Sequence, residues 1–165
     1  MKIREINMDD AENFTYLIQG VEADADFMLM GPGERTTTPE QHRKHIERLT
    51  SQRNSTIFVA EKEGKLVGYL MAIGGSVVRT QHSAYLVVGI LKDYRGKGIG
   101  TLLFQGLEKW ATKHNISRLE LTVVTQNSTA VALYKKSGFE IEGTKRHSLI
   151  IDGCPYDEYY MSKLL

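Results

Sequence analysis

The chain has 165 residues, of which 41% are hydrophobic and 25% charged, and its 21 Lys and Arg against 20 Asp and Glu give a formal net charge of +1. This length and composition predict one globular domain over residues 1–165 and exclude a disordered, fibrous or repeat protein. Without a basic excess or an apolar run of about 20 residues, the chain is predicted to have no nucleic-acid partner and no membrane partner.

The N-terminus indicates the cellular compartment, and the cysteine content limits which cysteine-based sites the chain can form. Residues 1–10 lack the apolar core of a signal peptide, which predicts a cytoplasmic location. Cys154 is the single cysteine, so an internal disulfide and a cysteine-based zinc site are excluded. No activating base stands beside it in the sequence, which favours an unreactive turn cysteine over a nucleophile. No metal site is predicted.

The first part of the chain predicts a strand and a helix. Residues 2–6 alternate in the manner of a short strand. Asp9 and Asp10 are predicted to cap the helix. Its apolar face has the spacing i, i+3, i+4 and i+7 and consists of Phe14, Leu17, Ile18 and Val21.

An apolar segment, residues 24–38, separates this helix from the next. It has Gly-Pro-Gly at its centre and is predicted either to pack against the body of the protein or to line a binding mouth. A second helix is predicted from Pro39, because Thr38 can cap it and Gln41 completes a capping box.

The remaining elements predict a mixed α/β (α+β) domain. "TIFVAE" and "LVGYLMAIG" form a predicted hairpin around a turn at 63–65, and "SAYLVVGIL" is a predicted central strand because it is apolar on both faces. A helix after "YRGKGIGT", the strand "RLELTVV", a helix from Asn127 to Gly138, and two strands around Asp152-Gly153 complete the chain.

The glycine-rich stretch "YRGKGIGT" is typical of a phosphate-binding loop. It is not a P-loop, because no Gly-Lys is followed by Ser or Thr. It is not a dinucleotide fingerprint either, because Gly100 falls one residue too early after Gly96 and Gly98. Successive backbone N–H groups at a helix N-terminus still favour a pyrophosphate, and Arg95 and Lys97 add charge. The alternative is a glycine-rich turn with solvated basic residues.

A second motif, "NSTAVALYKKSGFE", stands about thirty residues further on. With both motifs in this order, the chain resembles the GNAT superfamily of acetyl-CoA-dependent N-acetyltransferases, related to bacterial ribosomal-protein and small-amine acetyltransferases. The signature Arg/Gln-x-x-Gly-x-Gly/Ala is matched by Arg95, Gly98 and Gly100. The signature Asn-x-x-Ala-x-x-Leu-Tyr-x-x-x-Gly-Phe is matched from Asn127 to Phe139.

The resemblance implies a fold, a co-substrate and its binding residues. The fold is a mixed, mostly antiparallel sheet of about six to seven strands flanked by about four helices. Acetyl-CoA, with no metal, lies between the strands of 84–91 and 117–124. The residues implied to bind it are Val88, Gly89, Ile90, Arg95, Gly96, Lys97, Gly98, Ile99, Gly100, Thr101, Asn127 and Tyr134. Gly89 and Asn127 also have ordinary structural interpretations, as a packing glycine and a helix cap.

The implied reaction is direct acetyl transfer to a primary amine, with Tyr134 as the general acid that protonates the coenzyme A thiolate. A core tyrosine is the alternative interpretation of Tyr134. Some relatives carry a glutamate five residues before the asparagine, but this chain has Thr122 there, so Glu120 on the same strand face becomes the candidate base. Further candidates are His82, His147, Asp157 and Glu158, and ordered water is another.

The acceptor is open at this level: a protein N-terminus or a small-molecule amine, such as an amino acid or its analogue, a polyamine or an antibiotic amine. Tyr156, Tyr159 and Tyr160 are candidates for lining its cleft, and a homodimer is kept as an option. Two rival functions are a non-catalytic acyl-CoA-binding sensor domain and a nucleotide-binding regulator.

Overall fold

The computed structural model describes residues 1–165 and contains seven strands and four α-helices in the order βααβββαβαββ. The strands are β1 (Lys2–Glu5), β2 (Thr56–Lys62), β3 (Lys65–Gly74), β4 (Ser83–Ile90), β5 (Arg118–Val124), β6 (Glu140–Ile151) and β7 (Cys154–Leu164). The helices are α1 (Ala11–Ala23), α2 (Pro39–Thr50), α3 (Ile99–Lys113) and α4 (Ser128–Lys136). The predicted fold class is confirmed in both the number and the type of its elements.

All seven strands form one sheet with the order β1-β2-β3-β4-β5-β7-β6. Five of its six pairs are antiparallel, and β4 with β5 is the parallel one. The predicted central position of β4 is therefore confirmed. The parallel pair divides the sheet into an N-terminal half, β1–β4, and a C-terminal half, β5–β7.

Each face of the sheet has its own apolar core. On one face, called here the α1–α2 face, Phe14 and Val21 of α1 and Ile46 of α2 pack against β2 and β3. On the other, the α3–α4 face, Leu103 and Phe104 lie in a larger core that extends over β2–β5 and β7. The alternation of side chains along each strand separates the two cores.

The starts of the first two helices depend on different kinds of contact. Thr38 accepts a hydrogen bond from the Gln41 N–H at 3.2 Å, and Gln41 accepts one from the Thr38 N–H at 2.9 Å, as the capping-box motif predicts. The prediction that Asp9 and Asp10 cap α1 is wrong. Asp10 occupies the cap position of α1 but makes no side-chain cap hydrogen bond, because both its carboxylate oxygens accept from the Arg4 guanidinium at 2.8 Å.

The cap at this end belongs to the preceding residues. Asn7 accepts from the Asp9 N–H and Asp10 accepts from the Asn7 N–H, which closes a capping box on a single 3-10 turn before α1. None of the four α-helices combines the length and the apolar character that crossing a bilayer requires.

Candidate active site

The two halves of the sheet separate along a gap between β4 and β5. Their parallel pairing covers three residue pairs, from Ser83 with Arg118 to Tyr85 with Glu120. Beyond this point β4 pairs only with β3, and β5 pairs only with β7. The edges of residues 86–90 and 121–124 therefore face each other without strand hydrogen bonds.

The register of β4 determines which of its backbone groups point into the gap. The Leu91 N–H donates to the Val67 carbonyl at 3.0 Å, and the β3–β4 register runs without a bulge from Ile90 to Ala84. Since the two sides of an antiparallel strand alternate, odd-numbered residues of β4 bond to β3 and even-numbered residues point away from it. The N–H and C=O groups of Val88 and Ile90 therefore face the gap.

Gly89, which lies between them, has a different role. Its backbone groups point towards its β3 partner, Tyr69, by the same alternation. A Cβ atom on Gly89 would stand 2.5 Å from the Tyr69 ring and 2.9 Å from Val21. This close approach gives the glycine a packing reason on the α1–α2 face, which is the structural interpretation left open by the sequence.

The loop between β4 and α3 presents an unbroken row of backbone donors, called here the amide cradle. No backbone or side-chain acceptor in the chain takes a hydrogen bond from the N–H groups of residues 96–101, and the first α3 hydrogen bond runs from the Leu102 N–H to the Gly98 carbonyl. Gly96 and Gly98 have φ values of +71° and +82°, and a Cβ on either would meet nothing within 4 Å. The cradle is thus open, donor-rich and positive at the helix N-terminus, which fits a pyrophosphate.

The residues around this cradle support it in different ways. Gly100 lies where a Cβ would approach Leu133 of α4 to 2.7 Å, so its small size lets the two helices pack closely. The Arg95 guanidinium donates to the Ile90 carbonyl at 3.1 Å and thereby occupies one of the backbone acceptors at the gap. Lys97 is exposed and makes no ion pair within the chain.

Asn127 caps α4, as predicted. Its side-chain oxygen accepts from the Ala130 N–H at 3.3 Å, and its side-chain amide has no partner in the chain. The residue is only half-buried, so this free amide can donate to a ligand while the cap is kept. The predicted end of α4 is also confirmed, with Gly138 at a φ of +95°.

Tyr134 projects from α4 into the α3–α4 core. It is 9% exposed and packs edge-on against Phe104 with ring centroids 5.9 Å apart. Burial raises the pKa of the Tyr134 hydroxyl to about 12, and the nearby Tyr85 phenol raises it further as a second cause. The Tyr134 hydroxyl makes no hydrogen bond within the chain. Every fully buried side-chain oxygen has a hydrogen-bond partner, so this hydroxyl has some access to solvent.

Glu120, the candidate base, is engaged in an ion pair. Its carboxylate accepts from the Arg118 guanidinium at 2.9 Å, and the same guanidinium binds Glu142 of β6 through two further nitrogens. Hydrogen bonding to Arg118 lowers the pKa of Glu142. Both carboxylates are thus paired with the same guanidinium, and neither is free of an ion pair.

A cleft of about 350 Å³ opens beside this ion pair, lined by Tyr85, Arg118, Glu120, Leu121, Thr122, Glu142, Tyr160 and Met161. Tyr85 was not identified from the sequence. Its hydroxyl lies 2.8 Å from the Thr122 hydroxyl, so it bridges from β4 to β5 just where their pairing ends. Tyr85 and Thr122 are far apart in sequence. The parallel β4–β5 register, which sets Tyr85 opposite Glu120, brings them together.

The C-terminal tyrosines divide between the two faces of the sheet. Tyr160 lines the cleft, whereas Tyr159 packs against the α3–α4 core. Tyr156 contacts Phe27 of the 24–38 segment, with ring centroids 5.7 Å apart. That segment is also anchored by Arg35, which binds the buried Glu22 carboxylate through two nitrogens at 2.7 and 2.9 Å. The segment therefore packs against the body of the protein, one of the two predicted arrangements.

Comparisons with known proteins agree with this geometry. The model of the acetyltransferase (GNAT) family matches residues 21–139. The L-amino acid N-acetyltransferase AaaT of Escherichia coli (strain K12) is 30% identical over 122 residues, which cover 72% of this chain and 74% of the relative. A GNAT-family acetyltransferase from Streptococcus pneumoniae is 31% identical, with a TM-score of 0.94 and coverage of 99% of this chain and 98% of that chain.

A fourth comparison concerns the co-substrate. A phosphinothricin acetyltransferase of the GNAT superfamily from Sinorhizobium meliloti, solved in complex with acetyl-CoA, has a TM-score of 0.88. The match covers 99% of this chain and 88% of the Sinorhizobium meliloti chain, and the two are 19% identical in sequence. This likeness shows a common fold.

Proposed function

Because the chain belongs to the GNAT family of acetyl-CoA-dependent N-acetyltransferases, we propose that it transfers the acetyl group directly to an α-amine, with Tyr134 as the general acid. The predicted enzyme class and co-substrate are confirmed by the family match and the E. coli relative. In such a transfer the neutral amine nitrogen attacks the thioester carbon, the C–N bond forms as the C–S bond breaks, the nitrogen gives up a proton to water, and the departing thiolate takes a proton. The proposal concerns the acceptor and the source of that proton.

The state of the Tyr134 hydroxyl is the observation that carries the acid assignment. A phenol with a pKa of about 12 keeps its proton at any physiological pH, so it is available to donate to a developing thiolate. The hydroxyl has no partner within the chain, and it lies close enough to Tyr85 for that phenol to affect its pKa. These features support Tyr134 as a donor at the gap.

The state of the two cleft carboxylates supports an α-amine as the acceptor. Glu120 and Glu142 are both paired with Arg118, so neither carboxylate that lines this cleft is free to deprotonate a strongly basic amine. The α-amine of a peptide N-terminus has a pKa near ~8 and a lysine side chain near ~10.4, so the peptide α-amine is already partly neutral at pH 7–8. The E. coli relative is an L-amino acid N-acetyltransferase by name, and free amino acids also carry an α-amine.

The test is coenzyme A thiol release with a panel of acceptors. Free L-amino acids and short peptides with an open N-terminus should support release, whereas Nα-acetyl-lysine and spermidine should not. Mass spectrometry of an acetylated peptide containing lysine should locate the acetyl group on the α-nitrogen. Turnover restricted to ε-amines or polyamines would exclude the α-amine proposal. Tight coenzyme A binding without acceptor-dependent release would instead favour the non-catalytic sensor.

A further inference from the structure

A cluster of three lysines beside the amide cradle has no role in the function proposed so far. The ammonium groups of Lys62, Lys65 and Lys97 lie 5.8, 5.8 and 5.5 Å from the centroid of the Tyr94 ring. Two of them come from the β2–β3 hairpin and one from the cradle itself. Tyr94 is half-buried against the α3–α4 core, so all three flexible side chains lie beside the same fixed ring.

Folding alone does not account for this cluster. Lys62 and Lys65 are direct cross-strand partners that close the turn at Glu63-Gly64, and like charges directly opposite each other in a sheet are destabilising. None of the three lysines forms an ion pair with a carboxylate. Of the two acidic residues next to Lys62 in sequence, Glu61 binds Arg4 and Glu63 is exposed and forms no ion pair.

The position of Lys97 connects the cluster to the co-substrate. This residue lies between the two glycines of positive φ, so its N–H belongs to the amide cradle while its ammonium belongs to the lysine cluster. The cradle and the cluster are therefore no further apart than one lysine side chain. An anion bound at the cluster lies next to whatever the cradle holds.

We propose that Lys62, Lys65 and Lys97 bind the phosphate monoester on the ribose of coenzyme A. That ribose carries the pyrophosphate at one position and a dianionic phosphate at another, so a third phosphate always accompanies the two that fit the cradle. Three ammonium groups supply the charge-assisted donors that a dianion requires. The lysine cluster thus selects coenzyme A over its dephospho form. This proposal rests on the coenzyme A site and not on the identity of the acceptor.

The experiment is calorimetric titration of the full chain with coenzyme A and with 3′-dephospho-coenzyme A. The wild type should bind coenzyme A about tenfold more tightly than the dephospho form. The double variant Lys62→Gln/Lys65→Gln should bring this ratio close to one, and its affinity for the dephospho form should stay unchanged. Its melting temperature without ligand should be equal to or higher than that of the wild type, because a like-charge pair has been removed.

A matched control removes the same charge elsewhere. Lys44→Gln/Lys113→Gln changes two exposed lysines outside the cluster and should leave the ratio at its wild-type value. The proposal is wrong if the hairpin variant keeps the wild-type ratio, if it weakens both ligands equally, or if the control lowers the ratio as much. Restoration of the lost affinity by inorganic phosphate added with dephospho-coenzyme A would show a free-phosphate site and would also overturn it. Because no acceptor is present, failure of the α-amine proposal leaves this result unaffected.

Discussion

At the residue scale, the chemistry assigned to Tyr134 depends on the difference between its pKa and that of an ordinary tyrosine. A tyrosine with a pKa near ~10 would begin to lose its proton in mildly alkaline buffer, whereas Tyr134, at about 12, would not. Since a general acid works only in its protonated form, the raised pKa means that ionisation of Tyr134 does not reduce the rate below about pH 10. The side chain therefore keeps its proton from about pH 8, where a peptide α-amine becomes neutral, up to about pH 10.

The substitution Tyr134→Phe tests this assignment. It removes the hydroxyl and keeps the ring that packs on Phe104, so coenzyme A affinity and the melting temperature should change little. Turnover should fall by about 10²-fold at every pH from 6 to 10, without a shift in the pH profile, because the lost group does not titrate in this range. Steady-state thiol release measures this, with Tyr16→Phe on the exposed surface of α1 as the control. Unchanged turnover would remove Tyr134 from the chemistry.

The sequence proposed Tyr134 and Asn127 as site residues through a motif, but it could not predict which residues of other elements lie around the cleft. The state of Glu120 depends on the Arg118 guanidinium, which also binds Glu142, 24 residues away from Arg118. Tyr85 sits in an ordinary apolar run, and its place in the cleft comes from the parallel register of β4 with β5. Long-range pairings of this kind leave no local pattern in the chain.

At the element scale, local rules predicted the helix ends where no distant residue competes for the capping group. Thr38 and Gln41 cap α2 by themselves. Asp10 fails to cap α1 because Arg4, held also by Glu61, binds its carboxylate, and this contact lowers the pKa of Asp10. Both Asp10 oxygens accept from Arg4 instead of from N–H groups of α1, so tertiary contacts changed the outcome at this helix.

The loop before α3 allows an element-scale prediction that separates ligand binding from folding. Gly98→Glu places a carboxylate in the open space of the amide cradle, where a pyrophosphate would be repelled. Gly153→Glu, in the β6–β7 turn, is a matched control, since Gly153 has a φ of +78° and also meets nothing within 4 Å. Both variants should lose about 1 kcal/mol of unfolding free energy from the left-handed backbone. Only Gly98→Glu should abolish coenzyme A binding by calorimetry. Retained affinity would show that the pyrophosphate lies elsewhere.

At the scale of the whole molecule, the two halves of the sheet are joined along β4 and β5 by only three residue pairs. The gap beyond these pairs exposes backbone donors and acceptors that an ordinary sheet would satisfy. Two halves with separate edges form a slot into which an extended ligand can insert as an added strand, with its amides paired to both sides. A chain-wide topology therefore creates the site, and the glycine loop and α4 border it.

Amide hydrogen exchange can test this arrangement residue by residue along β4. Without ligand, the N–H groups of Gly89 and Leu91 should exchange slowly, because they bond to β3, whereas those of Val88 and Ile90 should exchange fast. Saturating coenzyme A, at about 100 times its Kd, can slow exchange by up to about 100-fold where the ligand pairs directly. NMR should show new protection at the even-numbered residues of β4 that exceeds the change at the odd-numbered ones. Equal slowing of both sets would indicate general stabilisation, and slow exchange of Val88 and Ile90 before ligand is added would mean that the gap is closed in solution.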